Sequence, residues 1–287
     1  MKQILTDALK IISPLVSVNW LQQHIDATNL VILDATLPKV TSTEIEDNFE
    51  KLQIPNAIFL DIKEIFSDNG AEFPNTMLSR EDFENEAQKL GINNDSCIVV
   101  YDQHGIYSSP RVWWMFKTMG FDNIAVLDGG LPAWNKAGFD LVEPIHKDIK
   151  KGDFTASYNE NMILEFTDVL KSLQENNTQI FDARSSGRFK GIDPEPRDKV
   201  RSGHIPKSKS LPYSSLLNGV QMKSKKELKE LFNKQNADNK PMIFSCGTGI
   251  TACVLALGAT VSGATSISIY DGSWTEWGSL HNLPIEI

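Results

Sequence analysis

Residues 241–258 read PMIFSCGTGITACVLALG. The short apolar run Met242-Ile243-Phe244 has the composition of a buried strand in a parallel sheet, and the pattern over residues 250–257 predicts a helix. Strand, glycine-rich turn and helix in that order leave Cys246 at the carboxyl end of the strand. Gly247 and Gly249 lack a Cβ, so the turn is free to aim several main-chain N–H groups at one point, the Cys246 sulfur. Those donors, with the positive end of the following helix, favour an anion there. The expectation is a nucleophilic thiolate; the competing reading is a buried structural cysteine, the commoner fate of an unpaired thiol.

Outward from this loop, the second half of the chain repeats the first. VILDAT around Asp34 matches IFDARS around Asp182, 148 residues on. VVYDQHGIYSS matches IFSCGTGITAC, with Gly105 144 residues before Gly249, and VLDGGLPAW matches IYDGSWTEW, with Asp128 143 residues before Asp271. So steady an offset indicates a duplicated domain of about 140–150 residues. The boundaries read as 1–148 for a non-catalytic domain, 149–160 for a linker within the charged stretch 144–160, and 161–287 for a catalytic domain. In the first half Asp102 stands where the second has Cys246, so only the second keeps a sulfur nucleophile; the first is expected to supply a wall of the cleft.

Apolar runs at Leu30–Asp34, Cys97–Tyr101 and 125–127 read as strands, and helical patterns cover 20–25, 80–90 and 112–119. Ser79 and Gly91 bracket the 80–90 helix as N-cap and stop. The alternation predicts an α/β fold, two tandem domains each a mostly parallel sheet flanked by helices.

Composition narrows the function. The 287-residue chain is 41% apolar with a net charge of −9, which argues against nucleic acid as a partner. No apolar run approaches membrane-spanning length, and the opening MKQILTDALKIIS is broken by Asp7 and Lys10, unlike a leader peptide. Three cysteines fit a reducing, cytoplasmic setting. Without a C-x-x-C or a His/Cys cluster, neither a metal nor another cofactor is expected. Six of the 28 basic residues are arginine, and four of these, Arg184, Arg188, Arg197 and Arg201, fall within eighteen residues. Such clustering suits either a small anionic ligand or a surface ion-pair network with Asp182, Asp193, Glu195 and Asp198.

The duplicated domain with one surviving cysteine loop resembles the tandem-domain rhodanese family of sulfurtransferases. The resemblance runs from about residue 17 to residue 286 and rests on YSSPRVWW (107–114), LDGG (127–130), GRFKGIDPEPR (187–197), GHIP (203–206), CGTGITAC (246–253) and YDGSWTEWG (270–278). The loop is similar to the CG[S/T]GxT form found in that family's 3-mercaptopyruvate sulfurtransferases. Thiosulfate sulfurtransferases of the family usually carry Arg and Lys after the nucleophile, where this chain has Gly247 and Thr248. Thiosulfate is a dianion that gains from two added cations; 3-mercaptopyruvate is a monoanion whose carboxylate can be held elsewhere.

The resemblance implies that Arg188 and Arg197 clamp the substrate, that Cys246 takes its sulfur as a persulfide, and that loop amides from Gly247 through Thr248, Gly249 and Ile250 to Thr251 hold that anion. A thiol such as thioredoxin or glutathione, or cyanide in an assay, would then accept the sulfur. Thr248 is expected either to relay a proton to the pyruvate enolate or to hydrogen-bond within the loop. Arg184 is expected to be structural and Arg201 to lie on the surface. Where the family often has HIPGA with a relay histidine, this chain has Gln53-Ile54-Pro55-Asn56-Ala57, and His204 reads as a structural hydrogen bonder. Cys97 and Cys253 read as buried apolar residues, and Trp113, Trp114, Trp274 and Trp277 as core or interface aromatics. Three rivals remain: thiosulfate as donor, a non-catalytic binding module, and a cysteine phosphatase, which would need an arginine at position 252, held here by Ala252.

Overall fold

The computed structural model describes residues 8–39, 52–144, 148–236 and 239–287. Residues 1–7 of the N-terminal stretch, and 145–147 of the charged stretch between the halves, lie outside the described residues. The first half contains β1 (Leu15–Val16), α1 (Val18–His24), β2 (Leu30–Asp34), β3 (Ile58–Phe59), α2 (Arg80–Lys89), β4 (Cys97–Tyr101), α3 (Ser109–Thr118), β5 (Ile124–Leu127) and α4 (Gly130–Lys136). The second contains β6 (Ile163–Leu164), α5 (Phe166–Glu175), β7 (Gln179–Asp182), α6 (Ser186–Phe189), β8 (Lys209–Ser210), β9 (Leu217–Asn218), β10 (Gln221–Met222), α7 (Lys225–Gln235), β11 (Met242–Ser245), α8 (Ala252–Ser262), β12 (Ile267–Tyr270) and α9 (Ser273–Ser279).

Each half builds one five-stranded parallel sheet, ordered β1-β5-β4-β2-β3 and β6-β12-β11-β7-β8. The orders are the same once the strands are matched by the repeat. Register agrees too: Asp34 pairs with Tyr101 and Phe59, as Asp182 pairs with Ser245 and Ser210. The central strands CIVVY and MIFS are buried throughout, as required where helices cover both faces of a sheet. The outer strands β1, β3, β6 and β8 are two residues long, which leaves little open edge.

The halves share one core. Every residue of α8 from Ala252 to Ala259 is buried, and it packs against α3, whose buried face includes Val112, Trp113, Trp114 and Phe116. A helix that is apolar all round is stable only when enclosed, and here α7 and the sheet of its own half and α3 of the other half enclose it. Trp274 and Trp277 belong instead to a separate cluster of the second half with Val169, Ile180 and Ile243. The stretch 149–160 lies against the first half: Phe154 is buried, meets Phe83 and Phe116 edge to face, and its N–H donates to Ile92 O at 3.1 Å.

Two details depart from the expectations. The helix after Cys246 begins at Ala252 rather than at residue 250, because the turn leading into it closes with tighter i+3 bonds, Cys253 N–H to Ile250 O and Val254 N–H to Thr251 O, both at 3.1 Å. Arg201 is half-buried, its guanidinium donating to the carbonyls of Trp277, Gly278, Leu280 and Leu283, so it pins the C-terminal segment as α9 ends. Those carbonyls lack partners in the helix, and a planar five-donor group collects several at once.

Candidate active site

The loop after β11 is fastened from behind by the start of α9. Ser273 Oγ accepts the N–H of Cys246 at 3.1 Å and of Gly249 at 3.2 Å, and donates to Tyr270 O at 2.8 Å. Trp274 N–H bonds Cys246 O and Thr275 N–H bonds Gly247 O, at 3.0 and 2.9 Å. Gly249 has a left-handed φ of +77° that a side chain would strain, and a Cβ would stand tightly against Asp271 O at 3.0 Å and Arg111 Nη1 at 3.1 Å.

In front of the loop opens a cavity of about 440 Å³, a usual size for a small-molecule site. Cys246 is only 2% exposed, yet it lines this cavity together with Gly247, Thr248, Ile250 and Thr251. Arg188 and Arg197 line it too, so the structure brings together the residues singled out in the sequence, Gly249 excepted. The Arg188 guanidinium lies against the loop, its Nη2 3.5 Å from where a Gly247 Cβ would be. It is braced by Glu195, Nη2 to Oε2 at 2.5 Å. Glu195 also accepts from Arg184, whose other donors reach Asp182 and Gly203 O while its guanidinium covers the Trp274 ring at 4.5 Å. Arg184 is therefore the strut that fixes Glu195, and through it Arg188. Arg197 has no ion-pair or hydrogen-bond partner among the described residues. Burial, then the neighbouring Arg188 charge, pulls its guanidinium below the ordinary range, while Cys246 and Glu195 oppose that shift.

The cradle differs from the simple expectation, since the Gly249 N–H is committed to Ser273. Among the described residues no hydrogen bond uses the N–H of Gly247, Thr248, Ile250 or Thr251. The first half displays what such a cradle holds. There the Asp102 carboxylate folds back into its own loop, accepting the N–H groups of His104, Tyr107, Ser108 and Ser109 at 2.9 to 3.0 Å and the Ser109 hydroxyl at 2.7 Å. The 144-residue offset puts Thr248, Thr251 and Ala252 opposite His104, Tyr107 and Ser108. A loop of this shape solvates a negative charge with main-chain dipoles, and in the second half Cys246 stands at the position of Asp102.

The first half also enters the site directly. Asn75 Nδ2 donates to Thr248 Oγ1 at 2.9 Å. Arg111, 1% exposed, pairs with Asp271 at 2.7 Å and donates to Asn75 O at 2.8 Å. Met77 N–H donates to Asp271 Oδ2 at 2.8 Å. Leu37, Pro38, Lys39, Lys63 and Tyr107 complete the far side of the cavity. None of Asn75, Arg111, Ser273, Lys39 or Lys63 stands out in the sequence. Arg111 and Ser273 lie inside recognisable motifs, but Asn75 sits in an irregular segment that offers no periodicity to read.

The remaining candidates lie elsewhere. His204 stacks on Phe189 at 3.8 Å and bonds Phe189 O through Nδ1. Gln53 bonds Ala57 O and pairs its backbone with Val142, away from the cavity. Cys97 and Cys253 are fully buried, and burial pushes their thiols up to about 11 and about 12. Among the described residues no group of three or more His, Cys, Asp or Glu could hold a metal ion.

Two segments of the chain, residues 17–137 and 165–280, match the Rhodanese-like domain. The chain belongs to the rhodanese-like family. Within that family it is 35% identical over 274 residues to 3-mercaptopyruvate sulfurtransferase of Escherichia coli K12, covering 94% of this chain and 97% of that one. It is 36% identical over 305 residues to mitochondrial thiosulfate/3-mercaptopyruvate sulfurtransferase 1 of Arabidopsis thaliana, covering 98% and 80%. A crystal structure of a 3-mercaptopyruvate sulfotransferase from Escherichia coli superposes with a TM-score of 0.81 at 32% identity, over 91% of this chain and 99% of that one. The rhodanese-like domain thus occurs twice here, in keeping with the two sheets of identical strand order.

Proposed function

We infer that this chain is a sulfurtransferase that takes sulfur from 3-mercaptopyruvate, carries it as a persulfide on Cys246 and releases pyruvate. One observation carries the reading: Cys246 faces a cavity beside two guanidinium groups, Arg188 and Arg197, while Gly247 and Thr248 add no cation to the loop itself. The arginines hold the carboxylate and carbonyl of the donor. The Cys246 thiolate attacks the donor sulfur, an S–S bond forms, and the C–S bond breaks with its electron pair going to carbon as the enolate of pyruvate. The sulfhydryl proton of the donor balances the charge when the enolate is protonated at carbon, with the Thr248 hydroxyl hydrogen-bonded to the enolate as it forms. The anionic persulfide is held by the free amides of the loop. A thiol such as thioredoxin or glutathione, or cyanide in vitro, then attacks the outer sulfur and restores the thiolate.

The catalytic unit is 161–287, joined through 149–160 to a non-catalytic unit, 1–148, that closes the cavity. A reducing, cytoplasmic setting suits the three free cysteines; among the described residues no helix is long and apolar enough to cross a membrane.

A second donor is favoured by Lys39 and Lys63, which line the far side of the cavity and suit the second charge of thiosulfate. Relatives named for both donors match at the same level of identity. The test is kcat/KM for each donor, with intact-mass detection of one added sulfur atom on Cys246. Preference for 3-mercaptopyruvate and loss of the adduct in Cys246→Ser are expected. Equal or faster turnover of thiosulfate would overturn the donor assignment, and no adduct from either donor would leave a binding module.

A further inference from the structure

Asn75 and Val220 occupy equivalent places in the two halves, 145 residues apart, and each reaches across to the nucleophile loop of the opposite half. Val220 lies against Gly105, where an added Cβ would come within 2.7 Å of its own Cβ. Thus the loop that has lost its sulfur, and is filled by Asp102, meets an apolar side chain. The loop that keeps Cys246 meets an amide, which donates to Thr248 Oγ1 at 2.9 Å. Asn75 has a left-handed φ of +62°, a conformation that Asn adopts more readily than most residues with a side chain. The segment is fixed at that point by the buried Arg111, which bonds Asn75 O while anchored on Asp271.

A hydroxyl has one proton and accepts through its oxygen. Because Thr248 accepts from Asn75, its proton must point away from Asn75, and Thr248 lines the cavity. We propose that Asn75 is a positioning residue for sulfur transfer, aiming the Thr248 O–H at the enolate that forms when the C–S bond breaks. The proposal rests on the sulfurtransferase reading above. Because an amide does not titrate, the aim is the same across the working pH range. The domain without a nucleophile thereby does more than close the cavity: it sets the polarity of a hydroxyl in the other.

The test is a double-mutant cycle on pyruvate release, with persulfide formation on the unaltered protein measured alongside. Asn75→Gly removes the amide and keeps a residue at ease with positive φ. It should lower kcat by about 10- to 100-fold with little change in KM, and add nothing further in the Thr248→Ala background. Asn75→Asp is isosteric but only accepts when ionised, so it turns the Thr248 proton away. It should be slower than Asn75→Gly at neutral pH and recover as pH falls and the new carboxyl is protonated, an acid limb absent from the parent profile. Multiplicative losses in the cycle, or an Asn75→Asp protein as active as the parent at neutral pH, would overturn the proposal. Should Asn75→Gly fail to fold, the pH limb of Asn75→Asp decides alone. Absence of persulfide on the unaltered protein sinks the sulfurtransferase reading itself, which keeps the two failures apart.

Discussion

Asp128 and Asp271 stand at equivalent positions in the two halves, and each accepts a main-chain N–H from the other half: Met222 to Asp128 Oδ1 and Met77 to Asp271 Oδ2, both at 2.8 Å. The domains therefore grip each other through two copies of one contact. The copies differ in charge, because Asp271 also pairs with the buried Arg111.

That difference predicts unequal costs. Asp271→Asn strips a buried guanidinium of its counter-ion and should destabilise by about 3–5 kcal/mol. Asp128→Asn keeps an acceptor for Met222 and should cost about 1 kcal/mol. Burial raises the Asp128 carboxyl above its ordinary range, against the Met222 N–H that lowers it. A raised folded-state value means that the folded chain holds this proton longer than the unfolded chain, so the contribution is present in acid and lost as pH rises from 3.8 through the folded value. The cost of Asp128→Asn should accordingly shrink toward neutral pH. Urea denaturation of both variants across pH 3 to 7 (about that range) measures this; equal costs would show that the Arg111 pair adds nothing.

Ser273 is the fastener behind the nucleophile loop, since one hydroxyl oxygen accepts both Cys246 N–H and Gly249 N–H. Ser273→Ala orphans two buried donors and should lower stability by about 1–3 kcal/mol. Because the loop loses its backing, kcat should fall more than KM rises. A variant that is destabilised but kinetically unchanged would make Ser273 a fold residue alone.

The three thiols should react unequally. Burial drives Cys97 to about 11 and Cys253 to about 12, and both are 0% exposed. A thiol ionises as pH rises through its own value, so at about pH 8 Cys97 is thiolate in roughly one molecule per thousand, and Cys253 in fewer. Iodoacetamide on the folded protein should label Cys246 alone, and Cys246→Ser should take up none until denaturant is added. Peptide mapping checks this; label on Cys253 in the native state would mean that α8 opens.

Much of this architecture was legible because its signals are local. CIVVY and MIFS are apolar runs bounded by polar turns, and VILDAT against IFDARS exposes the duplication without any structure. The arginines were legible as a cluster, and the family resemblance separated Arg188 and Arg197, expected on the substrate, from Arg184, expected to be structural. Arg201 was expected on the surface, and its half-buried role became visible only through its contacts to C-terminal carbonyls far along the chain. Asn75 was beyond reach for a different reason: its significance lies in a contact with a residue 173 positions away. The loop was expected to offer five amides, Gly247 to Thr251, and one of them, that of Gly249, serves Ser273 instead, because a turn this tight needs its own support.

Arg188 and Arg197 should not be equivalent. Arg188 is already neutralised by Glu195, whose carboxylate keeps Arg184 if Arg188 is removed. Arg197 lines the cavity without a counter-ion among the described residues, and burial together with the Arg188 charge works against it. An incoming carboxylate therefore relieves more strain at Arg197 than at Arg188. Both Arg197→Ala and Arg188→Ala should weaken kcat/KM for 3-mercaptopyruvate by about 1.5–3 kcal/mol, Arg197→Ala at the upper end. That range corresponds to about 10- to 150-fold. Arg197→Lys keeps the charge but not the planar fork and should recover only part of the loss. Steady-state kinetics of the three variants decide it: a larger loss at Arg188 would place the donor carboxylate nearer the loop, and full recovery by lysine would reduce the clamp to a point charge.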